Sequence, residues 1–415
     1  MIFNLLSFIA ILQGAIQISD LSYIFYQSNK IQLTLHDFET LKLIMSFPWI
    51  IKPIWGFCSD IFPIAKYKRK PYLFIFAMIC FLLETFMAIS DVDRKTAFVI
   101  IFLIQLCIVF CNVIAEAVLV EQSHEVNTSR NVALFFGMRA VGGYLYTYIA
   151  FNFPIHRNNF QVLSLFPLLI AILSIFLPEQ QMVDEIKMKQ LRANLQKFIL
   201  DPVIYRPLLF IFFFMATPSP ATSMFYFYIN QLKLNDEFFI TLRYTYSFCT
   251  IMAVTVYYLF RRYPFGQFLS VSNMLYFFAS FLSLLLVTRI NIEYNIPDYQ
   301  FCMWDNILMQ TLQEINTLPV LVLGAKMCPK NLEGTVYSLL TGTMNLGNTI
   351  SKQIGIVLTF YLGITNQNFT HLWLLILICT VGSLLPMPFI GAVNEEEVDQ
   401  KKKSLAKDEI HIKVE

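Results

Sequence analysis

The sequence is poor in charged residues. Asp, Glu, Lys and Arg make up 14% of its 415 residues, whereas hydrophobic residues make up 57%. Soluble domains carry roughly 25% charged residues, so a soluble protein of this composition could not cover its surface with polar groups. A bilayer removes that requirement, because helices that face lipid can be apolar on every side. The composition therefore predicts an all-α integral membrane protein without a soluble domain.

Several functional signatures are also missing. The sequence contains no nucleophile elbow, zinc-protease motif, phosphate-binding loop or dinucleotide fingerprint in a suitable context. Its eight Cys include no CxxC pair, and no further ligands complete a metal set around Cys107 and Cys111. A net charge of +2 gives no indication of nucleic-acid binding. We therefore expect no enzyme activity, no cofactor, no bound metal and no nucleic-acid partner.

The sequence does contain about twelve apolar runs, each near the 20 residues that a membrane-spanning helix needs. A polar stretch divides the runs into six and six. We predict a first six-helix half over residues 1–178 and a second over 207–392, followed by a charged cytoplasmic tail, 393–415. Residues 179–206 are predicted to form a cytoplasmic linker with an amphipathic helix at the membrane surface. The first run has no basic segment before it and no small-residue cleavage site, so we expect it to be retained.

The distribution of basic residues predicts the orientation. Most Lys and Arg outside the apolar runs fall in loops on the same side as the tail, and cytoplasmic loops are the ones enriched in these residues. Both termini are therefore expected in the cytoplasm, for a multi-pass protein of the plasma membrane or an organelle membrane, with a monomer as the default. Six plus six spans indicate the major facilitator plan, with a midplane site between the halves. Composition alone would also permit a channel or a membrane-embedded enzyme.

Charged residues inside the runs of the first half are functional candidates, because such charges cost about 2.5–3.5 kcal/mol each on insertion scales. Lys52 either binds substrate or forms a structural ion pair with an acid such as Glu116. Glu116 is the deeper acid of the fourth run and a candidate for proton coupling, whereas Glu121 is expected in a gating ion-pair network. Arg139 opens a glycine-rich stretch and could hold a substrate carboxylate or pair with Glu116 or Glu121.

The tenth run is unusually polar, which is typical of a cavity wall. It carries Asp305 in its expected outer half, as a substrate-binding candidate, and Glu314 near its middle, as a second candidate for proton coupling. Lys352 follows a stretch of small residues in the eleventh run and is a further substrate-binding candidate. The aromatic segment that contains Tyr226 could stack a flat ring, or it could form an interfacial belt.

Long ordered segments of the sequence resemble a known family. The segment SFPWIIKPIWGFCSDIFPIAKYKRKPYL is similar to the signature of the folate–biopterin transporter family, a branch of the major facilitator superfamily. The resemblance extends from the first loop to the last helix, over residues 46–73, 114–125, 139–143, 205–232, 318–348 and 372–388. It implies transport of pteridines such as folate or biopterin, usually coupled to protons.

The resemblance also implies roles for individual residues. The loop GFCSDIFPIAKYKRK is similar to the general facilitator gating motif, so Asp60 would pair across the cytoplasmic gate with basic residues that include Arg69. Lys52, Arg139 and Lys352 would meet substrate carboxylates, and an aromatic side chain such as Tyr226 would stack the ring. One position departs from the family pattern: Glu116 stands where the family usually has Asp, which bears on substrate preference or coupling.

Together these observations predict a secondary transporter of folate or related pteridine anions that works by alternating access. Its partners would be the small-molecule substrate, protons and the lipid bilayer. The alternative is a transporter-like accessory subunit of a membrane complex that does not transport, because a fold alone does not determine a function. The charges retained inside the runs argue against that alternative.

Overall fold

The structure, a computed structural model, describes most of the chain. Described are residues 2–18, 35–90, 92–123, 127–152, 158–179, 181 and 200–393. Most of the predicted linker, including its amphipathic helix, and nearly all of the predicted tail lie outside the described residues.

Helices dominate the described residues, and no β-strand occurs in these ranges beyond two isolated bridges. This confirms the all-α prediction. In chain order the helices are α1 (Ile2–Ile18), α2 (Leu35–Ile50), α3 (Lys52–Ile61), α4 (Lys70–Ile89), α5 (Arg94–Ser123), α6 (Thr128–Asn152), α7 (Asn158–Ile175), α8 (Pro202–Met215), α9 (Ala221–Tyr226), α10 (Asp236–Phe260), α11 (Phe265–Val287), α12 (Ile290–Glu293), α13 (Asp298–Met327), α14 (Glu333–Tyr361) and α15 (Leu372–Gly382). A π-helical turn, Phe227–Gln231, follows α9, and a 3-10 helix, Met387–Ala392, follows α15.

Five described helical segments are long and apolar enough to cross a membrane. Each of them coincides with one of the apolar runs of the sequence. The total of about twelve spans stays a prediction. The five segments are Lys70–Ile89, Lys95–Ser123, Glu237–Phe260, Phe265–Val287 and Leu372–Gly391.

Proline explains why two predicted runs are divided. The second run becomes α2 and α3, with Pro53 in the first turn of α3. Proline has no N–H to continue the hydrogen bonding of a preceding helix, but it fits a first turn. Lys52 is thereby the first residue of α3, directly at the break. The seventh run is divided into α8 and α9. Pro218 and Pro220 lie between these two helices, and Pro220 is the N-cap residue of α9.

The described residues form two compact units. The first contains the chain up to Asp201 together with Gly324–Gly342, which carries the end of α13 and the beginning of α14. The second contains Pro202–Leu323 and the described residues from Thr343 onward. In the first unit, α5 is largely buried, and helices α1, α2, α3, α4 and α6 pack against it. The core of the second unit includes Phe227, Phe238 and Leu375.

Glycine allows α1 and α6 to touch backbone to backbone. A Cβ atom added at Gly142 would lie 1.8 Å from the carbonyl oxygen of Ile11, and one added at Gly14 would lie 1.8 Å from that of Arg139. Such close approach is a common use of small residues between membrane helices. The contact brings Gln13 of α1 beside Arg139 of α6, where the two side chains are hydrogen bonded.

Replacing Gly142 with Ala is expected to destabilise the protein by about 1–3 kcal/mol, because the added methyl group would force α1 and α6 apart. The thermal midpoint of the detergent-purified protein is the measurement. Gly266→Ala is the matched control, since a Cβ atom there meets nothing within 4 Å. Equal midpoints for the two variants would contradict the close contact.

Candidate functional site

A buried charge cluster lies inside the first unit. We call Gln13, Lys52, Glu116 and Arg139 the Glu116 cluster. The ammonium nitrogen of Lys52 lies 3.1 and 3.3 Å from the two carboxylate oxygens of Glu116. Nη1 of Arg139 lies 3.0 Å from Glu116 Oε1, and its Nη2 donates to Gln13 Oε1 at 3.0 Å. Glu116 and Lys52 are each only 2% exposed, so these contacts are shielded from solvent.

Local structure explains how the cluster assembles. The break before Pro53 places Lys52 at the start of α3, which packs on α5. Glu116 lies on the buried helix α5, and the glycine contact between α1 and α6 positions Gln13 against Arg139. The ring of Trp49 lies 5.0 Å from the Lys52 ammonium, and the Phe135 ring lies 4.7 Å from the Arg139 guanidinium carbon. Aromatic faces attract such cations.

The Glu116 cluster holds two cations and one carboxylate. The sequence left open whether Lys52 and Arg139 bind substrate or pair internally, and the structure brings both to Glu116. The described part of the cluster therefore carries one more positive charge than negative charge. Nη1 and Nη2 of Arg139 are engaged, but its Nε has no hydrogen-bond partner among the described residues. The cluster can therefore accept a further anionic group.

A second charge cluster lies at one end of the first unit, centred on the fully buried Arg69. We call Ser59, Asp60, Arg69, Glu121 and Glu333 the Arg69 cluster. The guanidinium uses a different nitrogen for each close partner. Nε donates to Glu121 at 2.8 Å, Nη1 to the Ser59 hydroxyl at 2.6 Å and Nη2 to Asp60 at 2.6 Å. Glu333 lies 4.0 Å from Nη2.

Asp60 links this cluster to the beginning of α14. Its second carboxylate oxygen accepts hydrogen bonds from the backbone N–H and the hydroxyl of Thr335, each at 2.6 Å. A carboxylate is stabilised there by the unpaired N–H groups and the dipole of a helix N-terminus. A Cβ atom at Gly334 would lie 2.9 Å from Asp60 Oδ1, and one at Gly56 would lie 2.2 Å from the Gly334 carbonyl oxygen. Both glycines therefore permit the contact.

The loop before α4 is held by a carboxylate in the same way. Glu179 accepts hydrogen bonds from the backbone N–H groups of Lys68, Arg69 and Lys70 at 2.6–2.9 Å. Burial lowers the pKa of the Arg69 guanidinium, but the carboxylates of Glu121, Asp60 and Glu333 raise it by more. The pKa therefore lies above its ordinary value. Burial lowers the pKa of the Lys68 ammonium. A cavity of about 500 Å³ lies beside these groups.

The second unit contains the other acidic candidates, each in a different environment. Asp305 is 3% exposed, and its oxygens accept hydrogen bonds from the Ser283 hydroxyl at 2.8 and 3.1 Å. Glu314 is half-buried on the same helix and accepts a hydrogen bond from Gln310 at 2.9 Å. The structure does not bring these two carboxylates together, since they have separate partners.

A polar cavity of about 280 Å³ also lies in the second unit. Lys352, Ser283, Asn316 and Gln313 are among its lining residues. The side-chain oxygen of Asn316 is buried and has no hydrogen-bond partner among the described residues. Tyr226 does not line this cavity; its ring is half-buried and packs edge-on against Phe225, with ring centroids 5.7 Å apart.

Sequence reasoning missed several residues of these clusters. Gln13 and Ser283 are each one of several uncharged polar residues in an apolar run, which is a weak signal. Glu333 and Thr335 lie where a helix start could be expected, but nothing in the sequence indicates that Asp60 would contact Thr335 from 275 positions away or that Glu333 would lie beside Arg69. Glu179 lies in the predicted linker and carries no motif.

Comparison with known proteins agrees with the resemblance seen in the sequence. The model of the BT1 family matches residues 13–409. A folate-biopterin transporter of Synechocystis sp. is 28% identical, over 95% of this chain and 82% of its own length. Folate transporter 1 of Plasmodium falciparum is 29% identical, over 94% of this chain and 79% of its own.

The fold has solved counterparts. The major facilitator proton:xylose symporter XylE is similar with a TM-score of 0.66 and 13% identity, over 94% of this chain and 96% of that one. An identity this low shows the fold alone. It confirms the predicted major facilitator fold, and with the family match it shows an integral membrane protein. The chain is thus a membrane transporter with a small-molecule substrate, and it belongs to the BT1 family.

Proposed function

We propose that this protein is a secondary active transporter of folate or related pteridine anions. It works by alternating access, is coupled to protons, and has both termini in the cytoplasm. The names of its relatives support a pteridine substrate. The geometry adds an argument for a negatively charged one.

The surplus positive charge of the Glu116 cluster carries this proposal. Lys52 and Arg139 both contact the single carboxylate of Glu116. Folate is a glutamate conjugate with two carboxylates, and one of them can balance the remaining positive charge. Hydrogen bonds to charged groups contribute about 1.5–3 kcal/mol each, and the planar guanidinium of Arg139 suits a carboxylate. The cluster would then favour an anion over a neutral pteridine.

Other candidates complete the proposed site. Lys352 lines the polar cavity of the second unit, and no carboxylate pairs with it among the described residues of that unit. It is therefore a second proposed contact for a substrate carboxylate. Tyr226 is a proposed stacking residue for the ring, and its half-buried side chain contacts Phe225 edge-on.

The Arg69 cluster is the proposed gate. Arg69 joins α3, through Asp60, to α5, through Glu121, and Asp60 joins both to the start of α14. Contacts among three helices at one end would have to break when that end opens. Hydrogen-bonded charge pairs suit this role, because water can replace each partner once the cluster is solvated.

Uptake by proteoliposomes tests the proposed function. Labelled folate and labelled biopterin are supplied with a pH gradient imposed or collapsed. We expect saturable uptake of folate that is faster with the gradient, because proton flow would drive accumulation. Liposomes without protein give the background.

Absence of saturable uptake of both compounds, with protein that elutes as one folded species, would contradict the transport proposal. It would favour the accessory-subunit alternative, which co-purification in a stoichiometric complex would then support. Saturable uptake that ignores the gradient would contradict proton coupling alone.

A further inference from the structure

Asp305 is a buried carboxylate with no counter-ion among the described residues of its unit. It lies seven residues into α13, about 10 Å along the helix axis from the first residue. Its side chain is buried in the second unit, and its hydrogen-bond partner there is the hydroxyl of Ser283 on α11. No Lys or Arg forms an ion pair with Asp305 in the described part of the second unit. An ionised carboxylate in this position is therefore not balanced.

The titratable groups around Asp305 do not supply the missing charge. Tyr228 follows α9, Tyr246 lies on α10, Tyr276 on α11, and Cys302 one turn away on α13 itself. All four are neutral at physiological pH in their ordinary forms. Arg243, the basic residue of α10, interacts with Tyr246, and Arg289, which interacts with Cys302, forms an ion pair with Asp298.

The two other acidic candidates differ from Asp305. Protonation of Glu116 would leave Lys52 and Arg139 buried without a counter-charge, which costs several kcal/mol. Glu314 is half-buried and hydrogen bonded to the amide of Gln310. Neither Asp305 nor Glu314 has an ion-pair partner in the described part of the second unit, and Asp305 is the more buried of the two. Binding a proton at Asp305 therefore removes an isolated charge from the membrane interior.

Ser283 connects Asp305 to the polar cavity. Its hydroxyl contacts the carboxylate, and Ser283 also lines the 280 Å³ cavity. That volume is far above the roughly 15 Å³ that a water molecule needs, and the lining is polar. A hydroxyl both donates and accepts hydrogen bonds, so Ser283 can pass its own proton to Asp305 and take one from the cavity side.

We propose that Asp305 is the residue that binds and releases the coupled proton, and that Ser283 transfers this proton between Asp305 and the cavity. The sequence indicates Asp305 as a substrate-binding candidate, whereas its isolated carboxylate favours proton binding. The inference rests on the proposed function, because it names the residue that carries the coupling.

The test compares gradient-driven accumulation with exchange at equal pH on both sides of proteoliposomes. Asp305→Asn is expected to take up labelled folate equally with and without the pH gradient, while exchange against internal folate continues. Glu293→Gln is the matched control, because Glu293 is an exposed acid of the same unit. Gradient-driven accumulation retained by Asp305→Asn, or lost instead in Glu116→Gln or Glu314→Gln with Asp305→Asn unaffected, would overturn the proposal.

A second measurement covers the case in which Asp305→Asn fails to fold, or in which the wild type transports neither compound. Infrared difference spectra between mildly acidic and mildly alkaline pH should show the carbonyl stretch of a protonated carboxylic acid in the wild type. Ser283→Ala keeps the carboxylate but removes its hydrogen-bond donor, so that band should shift. A band identical in Ser283→Ala, or no band, would refute proton binding by Asp305 whatever the substrate is.

Discussion

Replacing Lys52 with Gln is expected to weaken the apparent affinity for folate about ten- to a hundredfold while biopterin uptake changes little. The substitution removes the surplus positive charge and leaves a balanced Arg139–Glu116 pair. The loss corresponds to about 1.5–3 kcal/mol, the contribution of a hydrogen bond to a charged group. Biopterin lacks carboxylates, so it does not depend on this charge. The measurement is the KM for uptake of each compound under the same gradient.

Arg130→Gln is the control for this variant, because Arg130 is an exposed basic residue at the start of α6. Equal losses for folate and biopterin would assign Lys52 a structural role in the cluster. Unchanged KM values for both would remove Lys52 from the substrate site.

Replacing Arg69 with Gln is expected to destabilise the protein by about 3–5 kcal/mol, the usual effect of removing one partner from a buried ion pair. The variant would leave Asp60, Glu121 and Glu333 close together without their shared cation. Arg69→Lys should recover only part of the loss, because a single ammonium group cannot reproduce three contacts made by three nitrogens.

Thermal midpoints of the purified variants test this order: wild type above Arg69→Lys, and Arg69→Lys above Arg69→Gln. Lys66→Gln, in the same loop but exposed, should match the wild type. A midpoint for Arg69→Lys equal to that of the wild type would mean that charge alone, and not the guanidinium geometry, holds the cluster.

The two charge clusters of the first unit share helix α5. Glu116 and Glu121 are five residues apart on this helix, about 7.5 Å along its axis. At about 100° per residue they point in different directions, so one joins the buried cluster and the other the cluster at the end of the unit. We expect a movement of α5 to change both sets of contacts at once, which would couple substrate binding to the gate.

The geometry of the Glu116 cluster gives a physical reason for Glu rather than Asp at position 116. One oxygen of Glu116 contacts Arg139 and both contact Lys52. These two cations belong to different helices, α6 and α3, which both pack against α5. The additional methylene relative to Asp extends the reach of the carboxylate between them.

Much of the fold could be predicted from the sequence because it depends on properties of neighbouring residues along the chain. Low charge and long apolar runs predict membrane helices, and proline explains why the run of Lys52 breaks. The ordered motifs from Ser46 to Pro388 identified the family, which the family match confirmed.

The partners of the charged residues inside the runs could not be predicted from the sequence. The sequence offered both Glu116 and Glu121 as partners for Arg139, and on one polar helix it indicated Asp305 for substrate binding and Glu314 for proton coupling. Only the packing of helices distant in the chain decided that Arg139 contacts Glu116 and that Asp305 contacts a serine but, among the described residues of its unit, no cation.

The sequence by itself determined an all-α membrane protein, its family and the set of costly charges inside its runs. The tertiary structure decided which of these charges are balanced: Glu116 by two cations, Arg69 by several carboxylates, and Asp305 by none in the described part of its unit. The physical reason is that a helix fixes the direction of each side chain locally, whereas the electrostatic environment of a buried charge is set by neighbouring helices.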